Sequence, residues 1–130
     1  MKKIITLLSL FLLMNFINAQ TKPVVADENF TTFLKKFNSD KNFHLSRINF
    51  PITVKLLNDD FELVNYTIAK SDYKQIQLND KGSTYQYKNI PKNNTYIIKR
   101  KGIDNGILAE YIFEKRKRIW YLKTYIDEST

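Results

Sequence analysis

From Asn94 onward the chain reads "NTYIIKRKG", "IDNG", "ILAEYIFEKRKR", "IWYLKTYI". Three runs of β-branched and aromatic residues, alternating with charged ones and split by turn clusters, predict an antiparallel meander. The turns suggest its register. With Gly102 to Gly106 as the first turn, Ile97 is expected opposite Tyr111. With Lys115 to Arg118 as the second, Phe113 falls opposite Trp120 and Tyr111 opposite Leu122. One face then carries Ile97, Ile107, Ala109, Tyr111, Phe113, Trp120, Leu122 and Ile126, and is expected to be the core. The other carries Tyr96, Ile98, Arg100, Glu110, Ile112, Tyr121, Lys123 and Tyr125. Glu110 would stand across from Lys123, a charge pair worth about 0.2–1 kcal/mol. A slip of one residue would move every side chain to the opposite face, so this pair checks the register.

Upstream, "ENFTTFLKKFN" spaces Phe30, Phe33, Leu34 and Phe37 along one helix face, with Lys35 and Lys36 opposite. Asp27 is the expected N-cap, with Glu28 in the first turn. Ser39 or Asp40 can start a second, short helix that turns Phe43 inward and stops before Pro51. "PITVKLL", "NDD" and "FELVNYTIA" read as a hairpin. "SDYKQIQLNDKGS" is irregular, and "TYQYKNI" is a short strand ended by Pro91. Helices followed by strands predict an α+β domain whose N-terminal helices pack on a curved antiparallel sheet.

The first residues, "MKKIITLLSLFLLMNFINAQ", carry a charged start, an apolar run too short to span a bilayer and a small residue at Ala19. Residues 1–19 are expected to be a signal peptide, 20–27 a flexible lead-in and 28–130 a single domain. A mature chain would begin at Gln20 and keep no membrane-spanning segment. The chain has no cysteine. It therefore has neither a lipoprotein anchor nor disulfides, and must be held by its core alone. The expected location is periplasmic or secreted.

The formal charge is +8, or +6 once Lys2 and Lys3 leave with the signal. Such a balance suits anionic partners, but export excludes intracellular nucleic acid. The basic run Lys115, Arg116, Lys117, Arg118 falls at a hairpin tip with Lys92 beside it. This pole either binds anionic glycan or merely solvates the tip. Tyr96, Tyr121 and Tyr125 make the second sheet face tyrosine-rich. That face is read as a surface for a second copy or an envelope protein, or as one covered by the chain's own loops.

Chemistry is sparse. His44 is the one histidine, so with no cysteine either it cannot anchor a His/Cys metal site, and no cofactor is expected. It faces solvent or caps a helix, or it lines a pocket with Arg47. Arg47, set among Phe43, Ile48 and Phe50, needs a partner for its charge. Asp40, Asp72 or helix-end carbonyls could fasten it, or it could hold an anionic ligand. There is no nucleophile elbow, and three glycines cannot furnish a phosphate loop.

The series Phe30, Phe33, Phe37, Asp40, Phe43, Arg47, Phe50, Pro51, read as "F..F...F..D..F...RI.FP", precedes a hairpin and a late Trp120 strand. It resembles an uncharacterised family of exported bacterial proteins, domain of unknown function 4348. The resemblance implies a cone-shaped sheet wrapped around helices, like nuclear transport factor 2 and the cystatins. It implies no reaction, because that family has no assigned activity. Where the family carries a glutamine after the motif phenylalanine this chain has His44, which argues against a catalytic role for it. The expectation is a non-enzymatic module that binds a small ligand or an envelope protein. The alternatives are a small pocketed enzyme of the same fold, or glycan binding through the basic tip.

Overall fold

The computed structural model describes residues 21–78 and 84–130. The expected signal peptide and Gln20 lie outside the described residues, as do positions 79–83 of the irregular segment. Two helices, α1 (Phe30–Ser39) and α2 (Lys41–Ser46), precede six strands: β1 (Ile52–Leu57), β2 (Leu63–Ile68), β3 (Tyr85–Pro91), β4 (Thr95–Gly102), β5 (Leu108–Arg116) and β6 (Ile119–Asp127). They form one sheet in the order β2-β1-β6-β5-β4-β3. Its pairings are antiparallel except at β1·β6, which is parallel. No described helix is long and apolar enough to cross a membrane.

Asn29, rather than Asp27, caps α1, its Oδ1 accepting from Thr32 N at 3.1 Å. Asp40 serves two helices. Its N–H donates to Lys36 O at the end of α1, and its Oδ1 accepts from Phe43 N to start α2. The chain therefore turns sharply there without glycine, since a side-chain carboxylate satisfies the orphan amides of the second helix. The α1 stripe lies on the sheet: Phe33 and Phe37 are buried, edge-on to Phe113, and Phe30 stacks on Tyr96 at 3.6 Å.

The meander forms, but its register corrects the expected faces. Between β4 and β5, Ile98 rather than Ile97 opposes Tyr111, and Tyr96 opposes Phe113. This one-residue slip puts Tyr96, Ile98 and Arg100 on the core side and sends Ile97 outward. Between β5 and β6 the turn is only Lys117–Arg118, both at positive φ, so Arg116 opposes Ile119 and Phe113 opposes Leu122. Two-residue hairpin turns of this kind favour Asn-Gly, so Lys-Arg gave no signal of one. A bulge then leaves Lys123 unpaired, and beyond it Tyr111 faces Tyr125 and Ala109 faces Asp127. The extra residue reverses the alternation, bringing Tyr125 and Asp127 inward and turning Ile126 out. Glu110 consequently pairs with Lys99, at 2.6 Å, and not with Lys123.

The segment 69–78 crosses the concave face without helix or strand. It turns Tyr73, Ile76 and Leu78 toward the core. Buried Asn38 at the end of α1 fastens it, its Oδ1 accepting from Leu78 N at 2.9 Å.

Candidate functional site

The concave face changes character along the strands. Under α1 lies an aromatic half, with Tyr96, Phe113 and Trp120 packed around Phe30 and Phe33. One row further along, Ile98, Tyr111 and Tyr125 stand on adjacent strands. The next row is Tyr87, Arg100, Ala109 and Asp127 on β3, β4, β5 and β6, with Leu56 of β1 beside Asp127. A cation and an anion thus enter a surface that is otherwise core.

Arg100 is half-buried, its guanidinium lying 5.0 Å from the Tyr85 ring and 5.2 Å from the Tyr111 ring. Its Nε is shielded from solvent and bonds nothing among the described residues, and the same holds for the Tyr87 hydroxyl. Two unmet donors on paired residues are costly unless acceptors reach them. Burial pushes the Tyr111 hydroxyl up to about 12; Arg100 pulls against this, while Asp127, Tyr125 and Tyr87 add to it. Tyr73 is raised by burial and by Tyr125 and Tyr111, and Tyr125 by burial and Asp127. These phenols stay protonated at neutral pH.

His44 neither faces solvent nor caps a helix: it is fully buried, stacked on Phe37 at 3.7 Å. Its Nδ1 lies 2.9 Å from the Phe37 carbonyl oxygen, which can only accept, so Nδ1 carries the proton. Nε2 is then bare and accepts from Tyr73 O–H at 2.8 Å. Both nitrogens are occupied, and His44 orients Tyr73 over the polar half.

Burial lowers the His44 pKa below its ordinary 6.5, against the raising effect of the Phe37 carbonyl. The unfolded chain therefore binds this proton more readily than the fold does. Stability is complete above about pH 6.5 and drains away as pH falls from there toward the folded value. Calorimetric melting temperatures should be level from pH 8 to 7 and decline by pH 5.5, and His44→Gln should remove the slope. A wild-type melting temperature that holds or rises on acidification would contradict the buried neutral imidazole.

Arg47 lies apart from the polar half. Its expected carboxylates were Asp40 and Asp72, but Nη1 donates to Glu28 Oε2 at 2.7 Å and to Trp120 O at 3.1 Å, and the guanidinium covers the Phe43 ring. Glu28 also takes Trp120 N on Oε2 and Trp120 Nε1 on its carbonyl, while its own N–H donates to Arg118 O. His44 and Arg47 therefore do not form a common pocket.

Much of the basic pole has structural employment. Lys115 lies over the Trp120 ring, Arg118 Nη1 donates to Val25 O, and Arg116 stacks on Tyr121. The Asn49 amide oxygen, turned toward Arg116, accepts from its Nη1 at 2.8 Å. Lys92 and Lys117 remain exposed. Arg116, Lys117 and Tyr121 line a shallow outer pocket of about 270 Å³ with Asn49 and Ile119. Of the tyrosines expected to form an interaction face, only Tyr121 stays outside. Tyr96 stacks under α1, and Tyr125 packs on Tyr111 at 5.8 Å.

No family model and no curated protein matches the chain. Solved structures do. A protein described as NTF2-like from Bacteroides fragilis aligns over 82% of this chain at 21% identity and TM-score 0.60; the match spans 49% of that chain, about half its length. A protein of Bacteroides uniformis solved by NMR aligns over 80% of this chain and 79% of its own, at 22% identity and TM-score 0.58. A protein described as cystatin-like from Bacteroides caccae aligns over 81% and 79%, at 20% identity and TM-score 0.58. At these identities the likeness concerns the fold, and the fold is the α+β arrangement of NTF2-like and cystatin-like proteins.

Proposed function

We propose that this chain is an exported, non-enzymatic binding module of the bacterial envelope, akin to the family of domain of unknown function 4348, that holds a small ligand on its concave sheet face by an anionic group. The observation that carries this reading is Arg100, a half-buried guanidinium whose Nε, like the nearby Tyr87 hydroxyl, is hidden from water and has no partner among the described residues. A carboxylate or similar anion would accept from both, and such charge-assisted bonds are among the strongest a site can offer. The surrounding phenols suit binding rather than proton transfer, since Tyr73, Tyr111 and Tyr125 are all raised. With both His44 nitrogens engaged, that imidazole is a strut, not a general base. Export rests on the N-terminal "MKKIITLLSLFLLMNFINAQ", and the absence of cysteine leaves such a protein unlipidated.

Titrating mature protein with benzoate, acetate and phosphate while following the Arg100 Nε–H resonance tests the site. At least one anion should shift it, and Arg100→Gln should weaken that anion's binding by about 10- to 100-fold, as loss of a charged hydrogen bond implies. Equal affinity in wild type and Arg100→Gln would remove the concave face from consideration.

A further inference from the structure

We infer that the ligand of this site is a zwitterion, a free α-amino acid or a short peptide, whose carboxylate meets Arg100 and whose ammonium meets Asp127. The inference rests on the concave-face reading and narrows it to one chemical class. Arg100 and Asp127 occupy the same cross-strand row, each paired in register with Ala109 between them. Two strand spacings put about 9.5 Å of sheet between their backbones. Ala109, itself buried, places only a methyl group between the two charged residues.

Among the described residues, neither Arg100 nor Asp127 takes part in an ion pair, although both are half-buried. Half-buried charges without counter-ions are disfavoured, and opposite charges on one cross-strand row favour a molecule that carries both complements. The Asp127 carboxylate is already aimed: Oδ1 accepts from Ser129 N at 3.0 Å and from the Ser129 hydroxyl. Its Oδ2 accepts from no described residue, which leaves one carboxylate oxygen for an ammonium. The Tyr85 and Tyr111 rings flank the Arg100 guanidinium, with Tyr87 and Tyr125 packed against them, and suit an aromatic or aliphatic side chain.

The bulge at Lys123 puts Asp127 there. Had β6 continued its alternation from Trp120 and Leu122, Thr124 and Ile126 would have faced inward and Asp127 outward. A strand end that needed only an apolar lining would not require this reversal.

The test uses mature full-length protein and three probes, L-phenylalanine, N-acetyl-L-phenylalanine and L-phenylalaninamide, by isothermal titration calorimetry. The amino acid should bind at least tenfold tighter than either blocked form. Asp127→Asn, which keeps the Oδ1 acceptor for Ser129, should bring L-phenylalanine down to the level of the acetylated probe without weakening the latter; this second affinity also reports that the variant is folded. If N-acetyl-L-phenylalanine binds as tightly as the amino acid and both depend on Arg100, the zwitterion inference falls while the anion site stands. If none of the probes binds and acetate leaves the Arg100 resonance unmoved, the inference falls together with the reading beneath it.

Discussion

Phe37→Ala is expected to lower the unfolding free energy by about 3–5 kcal/mol, the range for truncating a buried aromatic that leaves a cavity behind. Phe37 is completely buried and touches three aromatic partners: Phe33 at 5.3 Å, Phe113 at 5.5 Å and His44 at 3.7 Å between ring centroids. It also supplies the carbonyl that fixes the His44 tautomer, so a cavity here loosens the support of Tyr73. Urea denaturation gives the number directly. Phe37→Leu, which fills more of the space, should lose clearly less, and a loss below about 1 kcal/mol for the alanine variant would mean that α1 does not seal this sheet.

Glu28→Ala is the second large effect, about 2–4 kcal/mol, although the residue sits ahead of the first helix. Its carboxylate oxygen joins Arg47 Nη1 and Trp120 N, with the Arg47 and Glu28 side chains 17% and 22% exposed. Removing it strands a largely buried guanidinium and a backbone amide, and the cost is that of unmet donors more than of a lost attraction. Glu28→Gln keeps an acceptor and should recover about half of the loss. In a double-mutant cycle, Arg47→Ala with Glu28→Ala should cost less than the sum of the single changes. Additive losses would show that the two residues act separately.

Much of the element order was legible because local chemistry and global fold agree. The spacing of Phe30, Phe33, Leu34 and Phe37 is a helix spacing, and the helix found there buries that stripe. Turn residues at Asn58 to Asp60 mark the β1–β2 hairpin, where the Asn58 side chain accepts from the Asp60 and Glu62 amides. What stayed hidden depends on counting residues through turns. A Lys-Arg pair at positive φ and an unpaired Lys123 leave no composition signal, yet each shifts the strand that follows. Arg100 is accordingly expected on the outer face, and nothing in the local sequence sets Asp127 apart. Glu28 was read only as a first-turn acid, because its partner Trp120 is 92 residues away. A charged residue midway along a strand, on a face that register turns toward the core, was the one available hint of the site.

Native mass spectrometry of the wild-type protein and Arg100→Gln, both drawn gently from the host envelope, tests the concave anion site most directly. The expected result is a mature chain beginning at Gln20 that carries a small bound mass, and the same chain bare in Arg100→Gln. Wild type found bare, or the same bound mass retained by Arg100→Gln, would contradict it.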